Sequence, residues 1–138
     1  MKTLKDIAAA VTRTLKENTE GVPVNSTDID KNTKRPCFYV EYDFSRDGKP
    51  DFVHDYGKVT IFYFPSDERN CRMEIMDMQG KLSETFFNEL RVDEAFCIPI
   101  NELEFDISDD VLTLEFELEM FQSPDEDINP AMETLEIV

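Results

Sequence analysis

Apolar residues at spacings of three and four predict a helix at the N-terminus. The stripe consists of Leu4, Ile7, Ala8, Val11 and Leu15. This spacing places the five side chains on one side of a helix. Thr3 is a suitable N-cap, and Gly21 followed by Pro23 ends the helix by about residue 20. Residues 22–25 are predicted to be extended.

A second stripe predicts a helix after Pro65. Its members are Cys71, Ile75, Met78, Leu82, Phe86 and Leu90. The methionines of this stretch lie at helical spacing and are predicted to belong to the core. Gly80 interrupts the pattern, and a glycine weakens a helix by roughly 1 kcal/mol relative to alanine. It therefore marks either a close contact or a small break.

Alternation of apolar and polar residues predicts two pairs of strands. Residues 36–44 and 56–64 are rich in aromatic and β-branched residues, and the turn-forming segment 46–51 joins them into a long hairpin. Residues 98–107 and 111–121 alternate with a period of two, with a turn at residues 108–110.

The order of elements, helix, strands, helix and strands, predicts an α+β fold. We expect an antiparallel or mixed sheet with both helices packed on one face. Residues 1–122 form a single predicted domain, because 138 residues with 41% hydrophobic content fill one core. Residues 123–138 form a predicted acidic arm, which ends in a short strand-like piece around Leu135 and Ile137.

The charge of the chain excludes one class of function. The formal net charge of −17 repels nucleic acid and anionic lipid, which argues against capture of DNA or RNA on a basic surface. No leader peptide and no membrane span are expected. Three cysteines without paired spacing, at positions 37, 71 and 97, favour reduced thiols in an intracellular compartment.

Much of the acidity is predicted to lie on one face of the last strand pair. If the apolar residues of these strands face the core, the opposite face carries Glu102, Glu104, Asp106, Glu115, Glu117 and Glu119. Like charges opposed across a ladder are destabilising. Three readings remain open: a plain solvated face, a docking surface for a basic partner, and the wall of an aqueous channel. A negative wall suits a DNA conduit, because phosphates do not adhere to it.

No set of residues predicts catalysis, a cofactor or a bound metal. His54 is the only histidine, and it lies beside Asp51 and Asp55 in a predicted turn, where a solvated side chain is expected. The cysteines and the histidine lack the close spacing of a zinc site. Carboxylates are so abundant that no pair of them identifies a hydrolase. These absences favour a binding or structural role over an enzymatic one.

Several segments resemble a known protein family in their order and spacing. They are residues 21–24, 36–40, 60–66, 105–112 and 132–137. Together they make the chain similar to the tail terminator proteins of tailed bacteriophages, in the form found in prophages of Gram-positive bacteria. Members of that family tend to have glycine in the turn that Asp109 and Asp110 occupy here.

The resemblance implies a non-catalytic protein that forms a homo-oligomeric ring, usually a hexamer. Such a ring caps the finished tail tube, stops its polymerisation and joins the tail to a neck or head-completion protein, with the sheath as a further neighbour in contractile tails. DNA passes through the ring without specific binding, and no membrane is involved. Assembly would take place in the host cytoplasm before incorporation into a virion tail or a headless, phage-derived bacteriocin.

Two other functions compete with this one. The first is a monomeric acidic adaptor or DNA-mimic inhibitor that binds a basic protein; an unrecognised hydrolase ranks last. For a ring, the candidate subunit contacts are Phe44, Phe52 and Tyr56 in the long hairpin. Leu135 and Ile137 in the arm are candidates for strand addition to a neighbouring subunit.

Overall fold

A computed structural model describes residues 2–25, 34–66 and 71–123 of the chain. Two helices and seven strands lie within these ranges. In chain order they are α1 (Leu4–Asn18), β1 (Val24–Asn25), β2 (Cys37–Gly48), β3 (Val53–Phe64), α2 (Arg72–Thr85), β4 (Glu89–Asp93), β5 (Phe96–Pro99), β6 (Glu104–Ser108) and β7 (Val111–Gln122).

Five of the strands form one mixed sheet in the order β1-β2-β3-β7-β6. Strand β1 runs parallel to β2, and the remaining neighbours are antiparallel. Strands β4 and β5 form a separate antiparallel pair. The α+β class with a mixed sheet is therefore confirmed.

The N-terminal helix begins at a reciprocal cap. The carboxylate of Asp6 accepts hydrogen bonds from the backbone N–H of Thr3 at 2.8 Å and from its hydroxyl at 3.1 Å. The backbone hydrogen bond is the main cause of a lowered pKa of Asp6. Thr3 is thus the N-cap, as its position predicted. Four residues of α1 are buried: Ile7, Ala10, Val11 and Leu15.

Alternate residues of the long strands form the core face of the sheet. Its members are Phe38, Val40, Tyr42 and Phe44 on β2, Val59, Ile61 and Tyr63 on β3, and Leu112, Leu114, Phe116, Leu118 and Met120 on β7. Buried side chains of both helices join these residues in one cluster. The rings of Phe86 and Phe116, for example, lie 5.2 Å apart. Packing of both helices on a single face stays a prediction.

The intervening residues of the same strands form what we call the outer face. They are Tyr39, Glu41, Asp43, Ser45 and Asp47 on β2, His54, Tyr56, Lys58, Thr60 and Phe62 on β3, Thr113, Glu115, Glu117, Glu119 and Phe121 on β7, and Glu104 and Asp106 on β6. These positions mix carboxylates with aromatic rings, so this face differs in chemistry from the core face.

The long hairpin extends beyond its predicted ends. Strand β2 continues to Gly48 and β3 begins at Val53, which shortens the predicted turn at residues 46–51. Arg46 pairs directly with Asp55 across the ladder, and its guanidinium donates to both carboxylate oxygens at 2.6 and 2.8 Å. This ion pair stabilises strand pairing in a segment whose residue types favour turns.

Two predicted element boundaries are wrong. The second helix ends at Thr85, and Leu90 lies in β4 instead. Residues 98–107 are not one strand, since β5 and β6 belong to different sheets. Apolar residues at positions 86 and 90 fit a helical period, but Leu90 and Val92 also fit the period of a strand with one buried side.

The turn between β6 and β7 has both central residues in the left-handed region. Asp109 has a φ of 53° and Asp110 a φ of 60°. Aspartate tolerates this conformation better than most residues, and paired positive φ values are typical of two-residue hairpin turns. The predicted turn is therefore confirmed, and aspartate fills positions where glycine would be the usual choice.

Candidate functional site

Four aromatic side chains form an exposed cluster at the end of the long hairpin, which we call the aromatic patch: Phe52, His54, Tyr56 and Phe121. His54 stacks on Phe121 with ring centroids 4.2 Å apart and an interplanar angle of 4°. Tyr56 lies 4.8 Å from the His54 ring, and Phe52 lies 5.9 Å from the Phe121 ring. Phe121 remains 58% exposed, and Phe52 and Tyr56 are each 39% exposed.

The register of β3 against β7 creates this patch. His54 lies directly opposite Phe121, although the two residues are far apart in the sequence. The Nε2 atom of His54 lies 2.8 Å from a carboxylate oxygen of Glu119. His54 is therefore held in a strand between a phenyl ring and a carboxylate. The prediction that His54 lies in a turn is therefore wrong.

The acidic residues cluster beside the patch on the outer face. Glu115, Glu117 and Glu119 follow one another along β7 at alternate positions. Glu104 lies directly opposite Glu115, whereas Asp106 lies opposite Thr113. The close opposition of Glu104 and Glu115 is unfavourable for the isolated sheet.

An open groove of about 400 Å³ collects four of the predicted carboxylates. It is lined by Lys58, Asn101, Glu102, Glu104, Glu115, Phe116 and Glu117. Glu102 precedes β6 and lies outside the ladder, yet it joins the same groove. The groove therefore presents several negative charges on one side of β7.

One lysine partly compensates this charge. The Nζ atom of Lys58 lies 3.0 Å from Oε1 of Glu115, and this hydrogen bond is the main cause of a raised pKa of the amine. A single cation cannot neutralise four carboxylates, so the groove stays negative. The pairing arises because β3 lies next to β7, which the sequence pattern did not indicate.

The predicted subunit contacts fall in three places. Phe52 and Tyr56 come together in the aromatic patch. Phe44 lies on the core face instead, where it is half-buried and pairs with Gly57 of β3. Leu135 and Ile137 lie outside the described residues. The contact role of all these residues stays a prediction.

Three exposed apolar residues were not predicted, although their positions relative to the strand and helix periods indicate that they face away from the core. Phe121 occupies the polar phase of β7, together with the glutamates, and is therefore aromatic where alternation expects a polar residue. Met73 and Met76 lie off the stripe that contains Ile75 and Met78, and they are 76% and 56% exposed. The prediction that the methionines belong to the core is wrong for these two.

The part of the chain described here offers little for chemistry. No group of three or more His, Cys, Asp or Glu side chains in residues 2–25, 34–66 and 71–123 could hold a metal ion. Within the same ranges, no helix combines the length and apolar character needed to cross a membrane. Cys37 and Cys71 are buried and Cys97 is half-buried, and none of these three described cysteines forms a disulfide.

An exposed aromatic patch beside an acidic sheet face, on a small α+β domain, is typical of a protein that assembles with others. A family model described as phage tail terminator protein matches residues 6–130. The chain therefore belongs to the phage tail terminator family, a family of structural proteins of the virion tail. No curated protein matches the chain.

Proposed function

We propose that this protein forms a homo-oligomeric ring, a hexamer, that caps the tail tube and stops its polymerisation. The ring then presents a surface to the neck or head-completion protein, and to the sheath if the tail is contractile. The role is structural and involves no catalysis. Assembly takes place in the host cytoplasm, and the ring is then retained in the finished tail. Membership of the tail terminator family supports this proposal.

The aromatic patch is the observation on which ring formation depends most. Phe121, Phe52 and Tyr56 leave a large part of their ring surface in water in the isolated protomer. Aromatic residues anchor protein interfaces because they bury a large area with little loss of conformational entropy. We therefore assign Phe52, Tyr56 and Phe121 to the contact between neighbouring subunits.

Molecular mass in solution tests the ring. Analytical ultracentrifugation of the full chain is expected to show a species of six protomers of 16.1 kDa each. Phe121→Ser should dissociate it, since this residue is central to the patch. Ile107→Ser removes a side chain of similar exposure, 50%, from the edge strand β6, near the opposite end of β7, and should leave the ring intact. A protein that stays monomeric even with tube polymers present would contradict the proposal.

Binding to the tube tests the capping function separately. Polymerised tail tubes incubated with the protein should carry one ring at one end when viewed by electron microscopy, and elongation from that end should stop. Phe121→Ser should fail in both respects. Decoration along the tube wall, or continued growth at the decorated end, would argue against a terminator.

We assign the acidic outer face to the wall of the ring's channel. A negative wall does not retain the phosphates of passing DNA. Replacement of the groove residues Glu104, Glu115 and Glu117 by lysine should then permit ring assembly but slow DNA ejection. Glu119 is left unchanged, because it contacts His54 in the aromatic patch. The matched control replaces three exposed acids elsewhere by lysine: Glu17, Glu20 and Glu94.

The same acidic substitutions discriminate between two uses of the face. Failure of the lysine variant to join the particle, with an intact ring, would indicate a docking surface for a basic partner instead. In a headless particle DNA ejection cannot be measured, so attachment of the neck protein is measured instead.

The C-terminal arm is assigned to a neighbouring subunit. Alternating apolar residues such as Leu135 and Ile137 suit strand addition to an exposed sheet edge. Deletion of residues 123–138 should weaken ring assembly. If the truncated protein assembles at the same concentration as the full chain, the arm does not contribute to the interface.

The acidic face also favours a second function, a monomeric adaptor or DNA mimic that binds a basic protein. Several carboxylates on one sheet face resemble the charge of a nucleic acid backbone. This function predicts a monomer at all concentrations, together with binding to basic proteins that weakens steeply with salt. A stable ring that caps tubes would exclude it.

A further inference from the structure

Strand β2 has a long free edge within the described residues. Strand β1 pairs only with Phe38 and Tyr39 of β2. Residues 40–48 of β2 pair with β3 on one side and with no strand of the described residues on the other. The unpaired backbone N–H and C=O groups of such an edge can bind a further strand, and proteins usually cover an edge of this length. The β2 edge is therefore a site for strand addition.

An apolar pocket of about 290 Å³ lies beside this edge, on the core-face side of the sheet. Leu4 and Ile7 of α1 and Phe44 of β2 are among the residues that line it. Leu4 belongs to the apolar stripe of α1 but remains 43% exposed. A second groove, which also includes Leu4, follows the same edge along residues 39–43. Apolar side chains of an added strand would cover surface that the isolated protomer leaves in water.

The C-terminal arm, residues 123–138, has the pattern that this edge and pocket require. Leu135 and Ile137 alternate with Thr134 and Glu136. Successive side chains of a strand point to opposite faces of a sheet, so the two apolar residues would share one face. In strand addition, backbone hydrogen bonds supply affinity, and pockets for alternate side chains supply specificity. Leu135 and Ile137 therefore suit a pocket beside a free edge.

The arm begins beside the surface that we assign to the subunit contact. The side-chain amide of Gln122 donates to the carbonyl oxygen of Lys2 at 2.8 Å and accepts from its backbone N–H at 2.6 Å, which fixes the end of β7 to the start of α1. Phe121 of the aromatic patch directly precedes Gln122. The sixteen residues that follow reach roughly 50 Å when extended. The arm is therefore long enough to reach a neighbouring copy.

We propose that Leu135 and Ile137 of one copy add as a strand to the β2 edge of the next copy, with both side chains in the pocket between α1 and β2. This inference rests on the proposed ring and adds the site that receives the arm. A closed ring joins two different surfaces of each protomer, head to tail. Each copy then supplies one arm and receives another. Phe44, a predicted subunit contact, acquires its contact through the arm.

The other edge of the sheet is less suitable for this arm. Strand β6 borders the groove that contains Glu102, Glu104, Glu115 and Glu117. The arm carries several carboxylates and no lysine or arginine. Like charges on neighbouring strands are destabilising, so the acidic groove disfavours the arm.

Charge also restricts the alignment of the arm at the β2 edge. The outer-face residues of this edge are acidic with one exception, Ser45; they are Glu41, Asp43, Ser45 and Asp47. If Glu136 lies opposite Ser45, no two like charges oppose each other directly. The two apolar residues of the arm then lie beside Phe44 and Arg46, which line the pocket. The contact therefore depends on apolar burial, and charge selects the alignment.

Cross-linking tests which edge receives the arm and whether that edge belongs to another copy. The full chain carries Leu4→Cys and Ile137→Cys in a Cys97→Ser background, which leaves only the buried native cysteines. A short bismaleimide should give a ladder of covalent oligomers that ends at the ring size. The control pair, Ile107→Cys on β6 with Ile137→Cys, and each single variant should give no ladder.

Each other product would overturn the proposal. A cross-linked peptide pair in a product with the mass of one chain would mean that the arm covers its own β2 edge. A ladder from the control pair would place the arm at the β6 edge. Dimers from a single variant would mean that equivalent residues meet across a symmetric contact. An assembled ring without any cross-link would mean that the arm does not bind at this pocket.

Leu4→Ser provides an independent test when it is combined with removal of the arm. Leu4 is partly exposed, so the variant should stay folded, which circular dichroism checks. In the full chain it should weaken association roughly tenfold. In a chain without residues 123–138 it should have no further effect, because the side chains that Leu4 would contact are already missing. No weakening in the full chain, or equal weakening in both backgrounds, would contradict the proposal.

The outcomes separate this inference from the proposed function. A protein that never associates contradicts both the ring and this contact. A ring that forms equally well without residues 123–138 contradicts the contact and leaves the ring proposal intact. A ring that needs the arm but cross-links it at β6 changes the receiving site alone.

Discussion

The two faces of β7 differ in burial and in chemistry although they belong to one strand. Leu112, Leu114 and Phe116 are at most 2% exposed and contact the core cluster. The residues between and beyond them include Glu117, Glu119 and Phe121, which are exposed. One face therefore stabilises the protomer, and the other is free to differ in chemistry without loss of the core.

The chemistry of the outer face does not favour the isolated protomer. Glu104 opposes Glu115 across the ladder, and Phe121 exposes most of its ring. Both features cost stability or solubility unless another molecule covers them. The comparison suggests that stability and assembly can be altered separately, by substitutions on one face or the other.

The largest effect is expected on the core face. Leu114→Ala removes a fully buried side chain and should lower the free energy of unfolding by about 4 kcal/mol, through lost burial and the cavity left behind. Glu117→Ala on the outer face should change it by less than about 0.5 kcal/mol. Urea denaturation followed by circular dichroism measures both. Similar losses for the two variants would break the distinction between the faces.

The sequence predicted this distinction because alternation is a local signal. Strand β7 and the apolar stripes of both helices follow directly from their periods. The boundaries were less well predicted, since Leu90 fits two periods. The apolar positions also change phase between Ile100 and Leu103, which marks the boundary between two sheets, but the predicted strand spanned this change. The boundaries of such segments depend on the strands with which they pair, and these strands lie elsewhere in the sequence.

The candidate site depended even more on pairing. The acidic residues of β7 were visible in the alternation, but their compensation by Lys58 required the neighbouring strand. The aromatic patch required the register that places His54 opposite Phe121. The exposure of Met73 and Met76 was indicated by their phase relative to Ile75, a signal that composition alone obscures.

A smaller loss of stability is expected from a substitution at Gly57, where the core face has no side chain. A Cβ atom on Gly57 would lie 2.2 Å from the carbonyl oxygen of Asp43 and 2.7 Å from the Phe44 ring. Gly57→Ala should therefore cost about 3 kcal/mol, since backbone atoms must move apart.

Gly48→Ala is the matched control, because a Cβ there meets no atom of the described residues within 4 Å. It should change the free energy of unfolding by less than about 0.5 kcal/mol. Thermal or urea unfolding distinguishes the two variants. Equal stability of both would mean that β2 and β3 separate more easily than their register suggests.

One ion pair lies on the core face, among residues that are mainly apolar. Asp55 is 6% exposed and binds the guanidinium of Arg46 through both oxygens. Asp55→Asn should lower the free energy of unfolding by about 2 kcal/mol, the size of a charge-assisted hydrogen bond lost from a partly exposed partner.

Asp43→Asn is the control for this pair, since Asp43 is exposed on the same hairpin. It should have an effect of less than about 0.5 kcal/mol. If Asp55→Asn is equally mild, the extended end of the hairpin owes its stability to backbone pairing alone.

The smallest effect is expected on the outer face, and it has the opposite sign. Glu104→Gln removes one of two like charges that face each other across β6 and β7 and should raise the free energy of unfolding by about 0.3 kcal/mol. The gain should shrink in high salt, because exposed charges are screened. Asp106→Asn is the control, since Asp106 faces the uncharged Thr113. Equal gains from both variants would attribute the effect to the net charge of −17 and not to this pair.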